Sequence, residues 1–413
     1  MVLIFLLVLL FPNSIVFADE VEDPPYTEYV DSFYYRNGLS LGASTVFKKE
    51  QGLGYAGFLE SVYENFASEN NLGFPSGLDH EVGVVRGVGF LGYRFSDRLV
   101  INSELRFDRD LVESRTGEFS VDSAYVDYAV NEKLSLRGGL LLVPMGIVNE
   151  FHAPNEYLGT HLALADVDAI PTVWHAVGGG IAGHLSILDY RVYVLNSFNL
   201  AGFSINGPRD GREISWDTIK TPMLMMRFDG HLFKGFMLGG GMFFGNSKAF
   251  GTLNPTDQKF HTNFQEAHLV LNRAGWIVRA EYAKLYIEPS ELLNIALGTS
   301  GFNGVGSRMI GGTAEAGYNI FHYKHDGTVL MPYYRAEEVN PQDALPPKSV
   351  ALGLLKNLTV DHPVFTYGIE YRPIPKLIIK ADYQAIHSEK VDYGVNRFNI
   401  GVSYIFYDHD FNE

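Results

Sequence analysis

The chain has 413 residues, no cysteine and a formal net charge of -16. That charge excludes a nucleic-acid partner, which needs a basic face for phosphate, and the missing thiols exclude disulfides, thiolate metal sites and cysteine nucleophiles. Hydrophobic residues make up 46% at a mean hydropathy of -0.01, so apolar and polar residues interleave; 43 Gly, 29 Phe and 24 Tyr favour strands over amphipathic helices.

From the N-terminus, Val2 to Leu10 is an apolar run, and Val16-Phe17-Ala18 precedes the acidic pair Asp19-Glu20. Residues 1–18 read as a signal peptide, with an apolar run too short to span a bilayer. Residues 19–33, acidic and carrying Pro24-Pro25, read as a periplasmic lead-in. From 34 to 407 the chain divides into about sixteen segments of alternating character, each near the roughly 9–11 residues of a tilted membrane strand. They lie near 34–47, 79–95, 98–109, 118–130, 133–143, 172–185, 189–198, 219–229, 235–246, 262–272, 275–287, 306–321, 328–338, 363–373, 376–388 and 395–407. Residues 408–413 form a C-terminal tail.

The connections sort by length. Ser96-Asp97, Asn131-Glu132, Ser186 to Asp189, Asp229 to Lys234, Asn272 to Gly275, His322 to Gly327 and Pro373 to Lys376 are tight and rich in turn formers. Between them lie long polar connections near 48–78, 144–171, 199–218, 247–261, 288–305 and 339–362. Short turns at one end and long loops at the other are the rhythm of an outer-membrane barrel. The expected fold is therefore an all-β transmembrane antiparallel β-barrel of about 16 strands, with one barrel domain over 34–407.

Parity assigns the faces. In 98–109, Leu99, Ile101, Leu105 and Phe107 oppose Asn102, Glu104 and Arg106; in 376–388, Leu377, Ile379, Ala381 and Tyr383 oppose Lys380, Asp382 and Gln384. An Arg or Lys facing the bilayer midplane costs about 2–4 kcal/mol, so the charged face is the lumen. By this rule Arg86, Arg94, Glu104, Arg106, Asp127, Arg137, Arg191, Arg227, Glu266, Arg279, Glu370, Lys380 and Asp382 line the passage. Such charges either pair across strands or meet solute; the chemistry allows both.

The connection after the fifth segment is too apolar to stand free in water, and its prolines and Gly146 give it fixed bends. Folded inward as the third external loop, it narrows the lumen. Its polar residues Asn149, Glu150, His152, Glu156, Asp166 and Asp168 are the candidate constriction. Ser290 to Gly298 reads as a short loop helix. Gly178 to Gly183 matches a dinucleotide pattern in letters only, since it lies within a strand. The histidines at 152, 161, 175 and 184 have no ligand spacing, Asp166 and Asp168 lack an EF-hand frame, and no G-x-S-x-G occurs. No catalytic residue, metal or cofactor is expected.

The run PMGIVNEFHAP from Pro144, followed by IPTVWHAVGGGIAG from Ile170 and preceded by LSLRGGLLLV from Leu134, resembles the phosphate-selective porin (porin O and P) family of bacterial outer membranes; a weaker likeness covers Phe365 to Gln384. The resemblance implies a sixteen-stranded pore, a homotrimer, and an inward third loop. The aromatic-ended strand Phe398 to Tyr407 is similar to the signal read by the barrel assembly machinery. Family members line the passage with basic residues, whereas no Lys or Arg lies between Pro144 and Pro171 here. Acidic constrictions attract cations. The expected function is thus a porin of the bacterial outer membrane, set in lipid and lipopolysaccharide, passing ions and small hydrophilic solutes with a lean toward cations. A barrel hydrolase and an adhesin or receptor acting through its long loops are the competing readings.

Overall fold

The computed structural model describes residues 39, 41–78, 81–109, 117–212, 214, 216–249, 258–324, 326–356, 363–387 and 394–407. The expected signal peptide (1–18), lead-in (19–33) and tail (408–413) lie outside them. Sixteen strands close into one antiparallel barrel: β1 (Gly52–Phe66), β2 (Glu81–Arg94), β3 (Leu99–Arg109), β4 (Glu118–Asn131), β5 (Leu134–Leu142), β6 (His175–Leu185), β7 (Leu188–Asn196), β8 (Pro222–Phe233), β9 (Phe236–Ser247), β10 (Phe260–Arg273), β11 (Trp276–Glu288), β12 (Arg308–Tyr318), β13 (Val329–Ala344), β14 (Val364–Ile374), β15 (Leu377–Ile386) and β16 (Arg397–Tyr407). The seam runs from Ala56 opposite Tyr407 to Phe66 opposite Arg397. Closure pairs the backbone of both terminal strands, which hydrocarbon requires because it offers no substitute hydrogen bonds.

Each chain reversal has a local cause. Between β10 and β11, Ala274 and Gly275 both take positive φ (51° and 82°), the signature of a tight hairpin whose twist matches its strands. The register then runs from Arg273 opposite Trp276 to His261 opposite Glu288. At the other end, the helix Ser290–Leu297 stops at Gly298, which adopts the left-handed conformation.

The faces follow the membrane rule. On β16, Ile400, Val402 and Tyr404 are 40–46% exposed, whereas Asn399 and Ser403 are buried. The same alternation exposes Ile101 and Phe107 on β3 and Tyr367, Ile369 and Tyr371 on β14. Apolar columns therefore point away from the interior, the inverse of a water-soluble sheet protein. Lys284 and Glu338 take the outward parity near the long-loop ends of β11 and β13, and the Lys284 ammonium sits 5.1 Å from the Tyr282 ring centre.

Fifteen of the expected segments overlap β2 to β16. The first does not, and this is a correction. Residues 41–47 of the expected strand 34–47, together with Lys48, form a helical turn (Leu41–Ser44) and a 3-10 turn (Thr45–Lys48), and the wall begins at Gly52 inside the expected 48–78 loop. The inner face of β1 explains the difference. Ala56, Phe58 and Val62 point inward and are buried along with Glu60 and Glu64, so β1 has apolar residues on both faces and no alternation to detect. Ala56 and Phe58 pack with Val88, Phe90, Ile378 and Ile405 in a cluster on the inner wall.

A larger apolar core also lies within the barrel. Trp174, Phe198, Phe203, Phe243 and Phe264 meet there, with Trp174 stacked on Phe198 at 4.7 Å and edge-on to Phe243 at 4.9 Å. Such pairs add about 0.5–1.5 kcal/mol beyond their burial.

Outward parity is testable. Val402→Lys should lower the stability of the bilayer-folded protein by about 2–4 kcal/mol, as read by urea unfolding in vesicles, while Val402→Leu should be near neutral. Equal stability of the two variants would place Val402 away from lipid.

Candidate functional site

The connection between β5 and β6, residues 143–174, lies inside the barrel and touches the wall on many sides. Its neck is clamped by Asn149. The Asn149 amide nitrogen donates to the carbonyls of Val143 and Trp174 (2.7 and 2.8 Å), and its oxygen accepts from the Trp174 N–H (2.6 Å). One side chain thus ties the two ends of the loop together. Gly146, at φ 75°, lets the chain turn where a Cβ would lie 3.1 Å from both Glu281 and Ile170.

From this neck the loop runs past successive wall charges. The Arg227 guanidinium donates to the Gly146 carbonyl (2.5 Å), and Glu281 accepts from the Ile147 N–H (2.6 Å). Glu150 accepts from Arg191 (2.5 Å) and lies 3.6 Å from Arg227. His152 pairs with Glu104 (2.7 Å). Lys380 donates to the carbonyls of Pro154 and Tyr157 (2.6 and 2.7 Å), and Arg335 to those of Leu158 and His161 (2.7 and 3.1 Å). Asp382 accepts from the Thr160 N–H (2.7 Å), and Glu337 accepts from that of Leu164. These partners sit on β3, β7, β8, β11, β13 and β15, which a loop can reach together only from within.

The wall charges also pair with one another. Arg86 meets Glu60 (2.7 Å), Arg106 meets Asp122 (2.9 Å), Arg137 meets Asp127 (2.8 Å), Arg279 meets Glu315 (2.8 Å), and Glu370 meets Arg372 (2.5 Å). Asp229 bridges Arg191 and Arg227, and Glu266 pairs with His268. Arg94 pairs with Asp97 (3.4 Å) and also holds the backbone carbonyls of Phe47 and Lys49 (2.6 and 2.7 Å).

Of the six constriction candidates, Asn149, Glu150, His152, Glu156 and Asp166 are buried, and Asp168 is half-buried. Glu156 caps its own turn through the Ala153 N–H (2.8 Å). Asn149 thus bonds to the neck, and Glu150 and His152 to the wall. Arg191, Arg227 and Arg335 are among the largest fully buried side chains. Between Glu104, Arg137, Glu150 and Tyr193 lies a cavity of about 30 Å³, room for a water or two.

Several partners were not singled out from sequence: Glu60, Asp122, Asp229, His268, Arg335, Glu337 and Arg372; Glu281 was expected on the charged face of its strand beside Arg279. A signal for most of them exists. Arg227/Asp229, Glu266/His268, Arg335/Glu337 and Glu370/Arg372 are complementary groups two residues apart, hence neighbours on one strand face.

Asp166 introduces a pH dependence. Burial pushes its carboxyl from an ordinary 3.8 up to about 7; hydrogen bonding with Glu281 pulls it down, Glu337 and Glu315 add repulsion, and Arg335 opposes them. Asp166 Oδ1 and Glu281 Oε1 are both buried without a hydrogen-bond donor, as expected of two facing carboxyls that need a shared proton. Asp168 is likewise raised by burial, to about 6, against the pull of Arg209. A carboxyl raised in the folded state keeps a proton that the unfolded chain releases between pH 3.8 and about 7. Loop docking is therefore strongest below that window and weakens as pH rises through it.

No family model matches the chain. An uncharacterized protein of Aquifex aeolicus is 28% identical over 355 residues, covering 84% of this chain and 78% of that one. Similar solved structures include OmpF of Salmonella typhi in complex with daunomycin (TM-score 0.58, 12% identity, 86% of this chain and 98% of that chain). They also include the outer membrane channel DcaP of Acinetobacter baumannii (0.56, 10%, 87% and 98%) and a trimer form of OmpT, an outer membrane protein of Vibrio cholerae (0.52, 13%, 87% and 100%). The chain shares the porin-like barrel fold of bacterial outer-membrane proteins.

Two expectations follow. Arg191→Met leaves Glu150 and Asp229 buried with less counter-charge, and should cost about 3–5 kcal/mol of stability in denaturant unfolding; an unchanged midpoint would show the pairs to be ornamental. Proteolytic cutting within 143–174 should increase from pH 4 to pH 8 in the wild type and respond less to pH in Asp166→Asn. A flat wild-type profile would remove the shared proton from the loop's anchorage.

Proposed function

We propose that the protein is an outer-membrane channel through which ions and small hydrophilic solutes diffuse, and that it is not an enzyme. The observation that carries this reading is the sorting of side chains: apolar columns face outward on β3, β14 and β16 while the buried charged side chains of the strands face inward. The similar outer-membrane channel DcaP and the porin-like barrel fold support it. The third loop is the element that narrows the passage, as the phosphate-selective resemblance also implies. The proposed selectivity is a lean toward cations, since the loop carries no basic residue between Pro144 and Pro171.

A homotrimer is proposed with it; the similar OmpT structure in a trimer form supports that assembly. Lipid and lipopolysaccharide are the proposed surroundings, and the aromatic end of β16, Phe406-Tyr407, the proposed mark for the assembly machinery.

Planar-bilayer recording tests the proposal. The wild type should give stepwise conductance and, across a salt gradient, a reversal potential of cation sign. Glu150→Gln removes a counter-charge from Arg191 and Arg227 and should move that potential toward anions. Silent membranes together with hydrolytic or ligand-binding activity would turn the case to the competing readings, and a wild type that already prefers anions would end the cation lean.

A further inference from the structure

The outer face of the barrel is not uniform around its circumference. Among the described residues, every strand from β1 to β9 and from β14 to β16 presents large exposed apolar side chains, such as Leu59 and Tyr367 at 55%. β10, β12 and β13 present none, and β11 presents Trp276 alone, at its short-turn end. In their place the outward parity carries Gln265, Lys284 and Glu338 among half-buried tyrosines such as Tyr282 and Tyr334. The register also sets Ala280, Ala314 and Ala336 side by side, a flat strip across β11 to β13. Above these strands, the connections that follow β11 and β13 are joined by backbone hydrogen bonds of Gly301 with Leu354 (2.8 Å) and Lys356 (2.7 Å). Ile295 and Leu352 on those connections are 70% and 73% exposed, more than any other large apolar residue described. A lipid-facing sector carries its bulk between the girdles and polar groups beyond them. Here the wall is small and partly charged, and the exposed bulk lies above it.

Resting on the homotrimer proposed above, we infer that this sector, β10 to β13 with the two connections over it, is the face through which copies of the chain join around a threefold axis in front of β12. The charges fix the arrangement. Lys284 stands on β11 and Glu338 on β13, one strand to either side of β12, and neither forms an ion pair among the described residues. Arg308 is already matched to Asp343, and Glu288 stands opposite His261 at the strand end. A ring of three copies is heterologous, so two different flanks meet at each seam. The β11 flank of one copy then brings Lys284 to Glu338 on the β13 flank of the next, three times over. Complementary charges of this kind fix partner and register, whereas acyl chains would leave both without a counter-charge. Ala280, Ala314 and Ala336 let the two walls approach closely, and Ile295 and Leu352 find cover above them. An exposed apolar patch rimmed by polar groups marks such a contact.

Exchanging the charges tests the face. Lys284→Glu and Glu338→Lys each set like charges together and should lower the trimer-to-monomer ratio in detergent about tenfold or more, as read by light scattering. The double exchange should return it to within about twofold of the wild type. A Lys284→Cys/Glu338→Cys chain, in a sequence with no other cysteine, should yield covalent trimers on oxidation, whereas Ile101→Cys/Val402→Cys should yield monomers. Positions 284 and 338 lie two strand spacings apart, roughly 9–10 Å, so they cannot bridge within one chain. Cross-linking decides the case where a charge variant does not fold. A trimeric wild type that ignores the charge exchanges and forms no covalent trimer would overturn this face and leave the trimer standing. A monomeric wild type would overturn both, and lipopolysaccharide retained by the wild type but lost from Lys284→Glu would then assign the sector to lipid.

Discussion

Hydrocarbon outside the wall governs the rest of this structure. It cannot solvate a charge or an open backbone group, so the sheet closes on itself and most charged side chains of the strands turn inward. Inside, those charges meet the same difficulty in milder form. A guanidinium as buried as Arg191, Arg227 or Arg335 is tolerable only with counter-charge and hydrogen-bond acceptors in place. The lumen is consequently organised as a lattice of pairs: Arg86 with Glu60, Arg137 with Asp127, Arg279 with Glu315, and Asp229 between Arg191 and Arg227.

The wall alone does not complete that lattice. Arg227, Arg335 and Lys380 direct donors at carbonyls of Gly146, Leu158 and Pro154, all belonging to the third loop. In exchange the loop's buried backbone N–H groups at Ile147 and Thr160 find Glu281 and Asp382. Loop and wall each satisfy what the other leaves open, so the loop belongs to the fold as much as any strand. That mutual need also explains the placing of Gly159, at φ 94°, where a Cβ would lie 2.9 Å from the Arg335 guanidinium. Only a residue without a side chain lets the loop approach that closely.

Period-two alternation made β2 to β16 legible from sequence, because one face meets lipid and the other mostly meets charge. It failed for β1, where Ala56, Phe58 and Val62 face an apolar interior and the alternation vanishes. The same assumption, that everything inward is polar, hid the core around Trp174, Phe198 and Phe243. The constriction candidates were recognisable as an inward group by type and loop. Which wall residue each would meet was not, because pairing depends on which strands face each other across the lumen. His152 finds Glu104 across 48 positions of sequence, and Lys380 finds Pro154 across 226. Spacing of two residues along one strand, as in Arg335/Glu337, was the portion of the lattice that a sequence could show.

Pairing also changes where the proposed cation preference must originate. Glu150 is offset by Arg191 and partly by Arg227, and His152 by Glu104, so these residues present dipoles more than net charge to a passing ion. Around Asp166 the balance differs. Glu281, Glu337 and Glu315 surround it, against Arg335 and the Arg279 bound to Glu315. This is the acidic excess of the loop region, and its charge depends on how far Asp166 has released its proton. Above about pH 7 the cluster gains negative charge while its hold on the loop weakens. A single buried proton, shared between loop and wall, thus links the charge of this cluster to the anchorage of the loop.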